Sequence, residues 1–139
     1  MAAANRQRDM LLAEDSPSDA DIIRRAFREY GQRPWRIHSV RDGEAALAFL
    51  QQHGVYAGMP RPDLVLLDIG LPKLGGWKVL QALRALPPLA ALPIVMLTGA
   101  QMEGDETQRA ALQPLAYIVK PLFLREYQAL VEEIEGLLS

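Results

Sequence analysis

Three carboxylates directly follow short apolar runs and could together carry out chemistry. Glu14 and Asp15 follow the run at residues 10–13, and Asp68 follows the run at residues 64–67. Carboxylates gathered at one place repel each other, by roughly 4 kcal/mol per pair at close range and an intermediate dielectric. Such a cluster normally holds a cation or a shifted proton. A carboxylate can also act as a nucleophile that becomes phosphorylated.

The available ligand atoms indicate a hard cation. The chain has no cysteine, and neither His38 nor His53 is predicted to lie near the acids. Oxygen-only ligands favour Mg2+, which binds through one or two carboxylates, keeps several waters and accepts phosphate oxygens. We therefore expect Mg2+ at this cluster.

Thr98 and Lys120 follow two further apolar runs, at residues 94–97 and 117–119. A phosphoryl group in transfer spreads negative charge over its oxygens, and catalysis consists mostly of positioning and electrostatic stabilisation. A hydroxyl and an ammonium group would supply that stabilisation. A lone threonine or lysine is usually structural, so the prediction rests on their joint placement with Asp68 as the nucleophile.

The continuous apolar runs are typical of strands buried on both faces, and the mixed run at residues 35–40 is typical of an edge strand. Helical patterns lie between the runs. The first is capped by Ser18 and ends at Gly31, and the others cover residues 43–52, 76–86, 103–112 and 124–138.

This β-α alternation, repeated five times, predicts an α/β fold with an open five-stranded parallel sheet and helices on both faces. The common strand order for such a sheet is 2-1-3-4-5, and ligands bind beyond the carboxyl ends of the strands where the winding reverses. In that order the acids after strands 1 and 3 fall at the reversal point.

Composition narrows the class of protein. The 139 residues suit one domain, and half of them are hydrophobic, enough for a core. We expect residues 1–8 to be a flexible N-terminus and residues 9–139 to form the domain. The net charge of -2 gives no basic surface for nucleic acid. With no apolar stretch of signal-peptide or membrane-spanning type, we expect no membrane association and a cytoplasmic location.

The chain resembles the receiver domains of bacterial two-component response regulators. The resemblance runs from about Met10 to Leu138, and its motifs are specific through their order and spacing. They are LLAEDSP at 11–17, DGEAAL at 42–47, PDLVLLD at 62–68, LP at 71–72, Gly76, PIVMLTG at 93–99 and YIVKP at 117–121.

The resemblance implies a flavodoxin-like receiver (βα)5 fold and a role for each polar residue. Asp68 would be the phosphoacceptor. Asp15 would ligate Mg2+ directly, Glu14 would act through water, and the Gly70 carbonyl would be a third protein ligand.

For the remaining residues, the resemblance implies that Thr98 and Lys120 hold the phosphoryl oxygens. Tyr117 would be the aromatic that changes rotamer with Thr98. The same resemblance implies a cis peptide bond before Pro121.

Residues 56–63 and 71–73 are similar to small receivers paired with bacterial phytochromes, which implies a histidine kinase, a bacteriophytochrome, as the partner. Only 19 residues follow Lys120, so we expect one helix and no output domain. The protein would then be a switch rather than an enzyme, with only its own autophosphorylation and autodephosphorylation.

The last predicted helix carries a wide apolar stripe, which predicts a homodimer through that helix. The contact is expected on the side of Tyr127, Leu130 and Ile134. The resemblance also implies pairing in this region.

Three other functions fit the sequence less well. A haloacid dehalogenase-type phosphatase would need a second aspartate at position 70, which is Gly70. A pseudo-receiver would lack some of the active-site residue types, all of which are present. A flavin mononucleotide binder would need a Ser/Thr/Gly-rich loop after the first strand, where Glu14 and Asp15 would repel a phosphate.

Overall fold

The polypeptide forms one parallel sheet, in which the strands Leu64–Asp68 and Ile94–Thr98 are buried at every position and the edge strand Trp35–Val40 is mixed. The computed structural model describes residues 7–138. The strand order is β2-β1-β3-β4-β5, with every neighbouring pair parallel, which confirms the predicted topology. The strands are β1 (Arg8–Ala13), β2 (Trp35–Val40), β3 (Leu64–Asp68), β4 (Ile94–Thr98) and β5 (Ala116–Val119).

Five α-helices connect or follow the strands, as the sequence predicts. They are α1 (Pro17–Tyr30), α2 (Gly43–Leu50), α3 (Gly76–Arg84), α4 (Asp105–Leu112) and α5 (Tyr127–Leu138). Three short 3-10 turns, at Gly54–Tyr56, Pro87–Leu89 and Leu124–Glu126, lie in the connections.

The ends of some helices differ from the prediction. Ser16, not Ser18, caps α1, and Pro17 occupies the first helical position, where its missing N–H costs no hydrogen bond. Helix α4 begins at Asp105 rather than at residue 103, because Gly104 has a φ of 91° that no right-handed helix contains.

Two apolar cores lie on opposite faces of the sheet. Along β1, Met10 and Leu12 belong to the first core, beneath α1 and α5, whereas Leu11 and Ala13 belong to the second core, on the side of α2 and α3. This alternation follows from the two-residue period of a strand. Both faces of the sheet are therefore covered by apolar side chains, and the ends of the strands are the places where polar side chains can meet.

Helix α5 turns its apolar stripe toward the first core. Tyr127, Leu130 and Ile134 are only 2%, 4% and 0% exposed. The predicted dimer contact through these three side chains is therefore wrong, because the sheet and α1 already cover them.

Most of the predicted flexible segment 1–8 lies outside the described residues, and Arg8 is the first residue of β1. No peptide bond among the described residues is cis, so the expectation for the bond before Pro121 is wrong. The trans form is the favoured one for X-Pro bonds by about 0.5–1 kcal/mol. None of the helices between residues 7 and 138 is long and apolar enough to cross a membrane.

Candidate functional site

The polar residues predicted to act together lie at one edge of the sheet. Asp68 and Thr98 are the last residues of β3 and β4, while Glu14 and Lys120 directly follow β1 and β5. Parallel strands present their carboxyl ends at the same edge, so neighbouring strands bring these four side chains into one crevice. The crevice opens where the winding reverses, between β1 and β3.

The three predicted acids form a cluster. Glu14, Asp15 and Asp68 each offer one carboxylate oxygen, and these oxygens lie within 4.8 Å of one another. Glu14 and Asp68 are buried and Asp15 is exposed. A set of oxygen donors open to solvent on one side fits a hard divalent cation that keeps part of its water shell.

Lys120 balances the charge of this cluster. Its ammonium Nζ donates to Glu14 Oε1 at 2.8 Å, to Asp19 Oδ2 at 2.9 Å and to Asp68 Oδ2 at 3.1 Å. The Lys120 side chain is only 11% exposed. Burial lowers its pKa, but the surrounding carboxylates outweigh burial and hold the pKa above its ordinary value. Lys120 therefore stays charged at any physiological pH.

Glu14 is the acid most perturbed by this environment. Burial raises its pKa to about 7, and the neighbouring Asp68 adds to the effect through a hydrogen bond and negative charge. Lys120 and the backbone N–H of Ser16 oppose the shift. With its pKa near neutrality, Glu14 takes up a proton as the pH falls below about 7.

The carboxylate of Asp68 is held in a fixed orientation. Its Oδ1 accepts a hydrogen bond from the Gly70 N–H at 2.8 Å, and its Oδ2 faces Lys120. The following loop is pinned by two backbone hydrogen bonds, from Ile69 N to Leu97 O at 2.9 Å and from Gly76 N to Ile69 O at 2.9 Å. Asp68 is therefore positioned before any ligand arrives.

Thr98 and Tyr117 are engaged away from Asp68 in this structure. The Thr98 hydroxyl donates to the carbonyl of Ala100 at 2.7 Å. The Tyr117 hydroxyl donates to Asp105 Oδ2 at 2.6 Å, in the first turn of α4. The Thr98 hydroxyl is therefore bound to the loop after β4, and the Tyr117 hydroxyl is bound to the start of α4.

Sequence reasoning missed two acids. Asp19 does not follow a strand, and only the fold brings its carboxylate to Lys120, 101 positions away. Asp105 was counted within a polar helix, and its contacts with Trp77 and Tyr117 come from separate elements. The only sequence feature that indicated a role for Asp105 was the position of an acidic residue near the start of a predicted helix.

Comparison with known proteins shows the family. The response regulator receiver domain family matches residues 10–133. The chain therefore belongs to the response regulator receiver family, as the motifs predicted.

The similar proteins include regulators associated with phytochromes. The response regulator Rcp1 of Synechocystis sp. is 36% identical over 133 residues, which cover 96% of this chain and 90% of Rcp1. The Mn(2+)-bound form of Rcp1 has a TM-score of 0.83, at 36% identity over 93% of this chain and 92% of that one.

Two other solved structures resemble the chain closely. The phosphorylated cyanobacterial phytochrome response regulator RcpA has a TM-score of 0.85 and 35% identity, covering 94% of this chain and 93% of its own. The bacteriophytochrome response regulator RtBRR has a TM-score of 0.78 and 32% identity, covering 93% of this chain and 78% of its own.

Proposed function

We propose that this protein is a phosphoacceptor switch in which Asp68 takes a phosphoryl group from a histidine kinase in two-component signalling. The observation that carries the proposal is the position of the Asp68 carboxylate. It is buried at the end of β3, oriented by the Gly70 N–H, and within hydrogen-bond reach of the Lys120 ammonium.

The reaction needs a nucleophile and compensation for negative charge. A carboxylate oxygen of Asp68 attacks phosphorus, the bond from phosphorus to the kinase histidine breaks, and an aspartyl phosphate forms. The Lys120 ammonium already faces Asp68 and can donate hydrogen bonds to phosphoryl oxygens in place of a carboxylate. Loss of the phosphoryl group to water returns the switch to its starting state, and we propose no other catalytic activity.

Mg2+ is the proposed metal. The carboxylates of Glu14, Asp15 and Asp68 would hold it, together with the carbonyl of Gly70. A cation held there would supply positive charge that compensates the negative charge of a phosphoryl group. The Mn(2+)-bound form of the similar regulator Rcp1 supports a divalent cation in this protein.

Thr98 is proposed to bind a phosphoryl oxygen once Asp68 is modified. It lies at the end of β4, next to β3, so a change of its hydroxyl partner from Ala100 to a phosphoryl oxygen needs no rearrangement of the sheet. Tyr117 is proposed to change position in response to Thr98.

A phytochrome histidine kinase is the proposed partner. RcpA is described as a phytochrome response regulator and RtBRR as a bacteriophytochrome response regulator. Identities of 35% and 32% over most of this chain make the same type of kinase the best candidate.

A homodimer remains part of the proposal, with a different contact surface from the one predicted from sequence. The exposed apolar side chains beside the site are Val119, Leu122 and Phe123, which are 45%, 84% and 60% exposed. They lie at the end of edge strand β5 and in the loop before α5. Self-association through this loop with two-fold symmetry would present two phosphoacceptor sites to a dimeric kinase.

The test is incubation with acetyl phosphate or phosphoramidate and Mg2+, followed by intact mass measurement. We expect one phosphate on the wild-type chain and none on Asp68→Asn, because an amide cannot act as the nucleophile. Asp21→Asn, a substitution of an exposed acid in α1, is the matched control and should be phosphorylated normally. Full phosphorylation of Asp68→Asn would contradict the proposal.

A further inference from the structure

Asp105 is a buried carboxylate that binds three separate parts of the chain. Its Oδ1 accepts from the Trp77 indole Nε1 at 3.0 Å. Its Oδ2 accepts from the Met102 backbone N–H at 3.0 Å and from the Tyr117 hydroxyl at 2.6 Å. A carboxylate that is only 7% exposed is stable as an anion when such donors replace its water.

The two aromatic donors also contact each other. The rings of Trp77 and Tyr117 are 6.2 Å apart between centroids and nearly parallel, with an interplanar angle of 11°. The guanidinium carbon of Arg109 lies 5.5 Å from the Tyr117 ring centroid. Tyr117 is thus held at both its hydroxyl and its ring.

These contacts connect the site to α4. Trp77 follows Gly76, which packs against the backbone of Asp68 and Ile69. Tyr117 lies in β5, three residues before Lys120. Asp105 is therefore the point at which the elements carrying the site are tied to the start of α4.

We propose that Asp105 is a positioning residue that holds Tyr117 at the start of α4, opposes the proposed movement of Tyr117 toward Thr98, and so lowers the affinity of Asp68 for a phosphoryl group. This inference rests on the proposed function. The proposed movement of Tyr117 toward Thr98 breaks its hydrogen bond with Asp105, so a phosphoryl group on Asp68 must supply the free energy that this bond contributes. Separating Tyr117 from Asp105 leaves a buried carboxylate without one of its three donors, which makes this contact costly to break.

The test uses the full chain, Mg2+ and beryllofluoride, a mimic of the phosphoryl group, with the dissociation constant measured by calorimetry. Asp105→Asn keeps the shape but removes the charge, and Tyr117→Phe keeps the ring but removes the hydroxyl. Each should bind about tenfold more tightly than wild type, which is the size expected for a hydrogen bond to a charged group. The double variant should bind no more tightly than either single variant, because both remove the same contact.

Glu106→Gln is the matched control. Glu106 is exposed and lies in the same first turn of α4, so the substitution removes the same charge near the same helix terminus. Its affinity for beryllofluoride should equal that of wild type. An equal gain in affinity in Glu106→Gln would assign the effect to the helix charge and overturn the inference.

The outcomes separate this inference from the proposed function. If wild type and every variant fail to bind beryllofluoride, the phosphoacceptor function is wrong. If wild type binds and both Asp105→Asn and Tyr117→Phe bind with unchanged or weaker affinity, the role of Asp105 is wrong. Thermal unfolding without ligand identifies a purely structural role, in which Asp105→Asn loses stability but binds beryllofluoride as wild type does.

Discussion

At the scale of single residues, the site is organised by charge. Glu14 and Asp68 are buried beside each other, and Lys120 donates to both. A cation that enters the cluster must compete with Lys120 for carboxylate oxygens and displace the proton that Glu14 holds in part of the molecules. Metal binding at this site is therefore linked to proton release.

Mg2+ affinity should fall as the pH is lowered from 8 to 6. The pKa of Glu14 is raised to about 7 in the metal-free protein, so Glu14 is mostly anionic at pH 8 and mostly neutral at pH 6. A neutral acid attracts no cation, and one displaced proton predicts about a tenfold loss of affinity across this range. Calorimetric titration with Mg2+ at several pH values measures the effect.

Glu14→Gln tests the assignment of this proton. The variant should bind Mg2+ more weakly than wild type at pH 8, and its affinity should change little between pH 8 and pH 6. The exposed substitution Glu132→Gln in α5 should retain the wild-type pH dependence. A Glu14→Gln variant with an unchanged pH dependence would place the titrating proton on another group.

The acids at the strand ends could be predicted because each follows a strand directly, and the parallel sheet then brings them together. Lys120 and Thr98 could be predicted in the same way. Asp105 could not, because its importance depends on Trp77 and Tyr117, which approach it only through the packing of α3, α4 and β5. Sequence distance carries no information about such a three-way contact.

At the scale of elements, the loop between β3 and α3 has little room. A Cβ on Gly76 would lie 2.8 Å from Ile69 Cα and would also clash with the carbonyl oxygen of Asp68. A Cβ on Gly43, at the start of α2, would clash with the backbone of Leu74. These two glycines thus allow α2 and α3 to lie close to the loop that follows Asp68.

Gly76→Ala should destabilise the fold by about 2 kcal/mol, because the clashing atoms are backbone and cannot move aside as a flexible side chain could. The loop that orients Asp68 should shift as well, so Mg2+ affinity should also fall. Urea unfolding and Mg2+ titration measure the two effects.

Gly136→Ala is the control for the same chemical change in a helix. Gly136 lies in α5 with nothing within 4 Å of an added Cβ. Alanine should stabilise the protein there by about 0.5 kcal/mol through its higher helix propensity. If both substitutions changed the free energy of unfolding equally, close packing at Gly76 would not contribute to stability.

The existence of these elements could be predicted from hydrophobic periodicity, whereas several of their ends could not. Ser16 and Ser18 are both good capping residues, and Pro17 between them decides the cap by occupying the first helical position. Residues 124–126 have a helical pattern but form a separate 3-10 turn before α5. Backbone conformation, rather than residue type, sets these boundaries.

At the scale of the whole molecule, two cores enclose the sheet, and the surface left over decides how copies of the chain can meet. The apolar stripe on α5 indicated more apolar surface than one sheet face needs. The structure instead buries Tyr127, Leu130 and Ile134 in the first core. Ile134→Glu would place a charge in that core and unfold the protein, so it cannot test association.

Leu122→Glu should convert the proposed dimer to a monomer without loss of stability. Leu122 is 84% exposed in the loop before α5, so a charge there meets only solvent in the monomer but repels its copy across a two-fold axis. Light scattering at micromolar concentration should change from about twice the mass of 15.4 kDa to that mass.

Val55→Glu is the matched control, since Val55 is 89% exposed in the turn at Gly54–Tyr56, away from this loop. It should remain dimeric. A wild-type chain that is monomeric with and without beryllofluoride would refute the dimer.

The distance along the chain between Lys120 and the acids that it neutralises has a consequence for biosynthesis. Lys120 lies 106 positions after Glu14, and α5, which closes the first core, follows it. During translation the N-terminal strands leave the ribosome first. A nascent chain that ends before β5 lacks Lys120, so Glu14 and Asp68 have no ammonium partner. It also lacks α5, so the apolar face of α1 that packs against α5 is exposed. The first core is therefore complete only after nearly all of the domain has been synthesised.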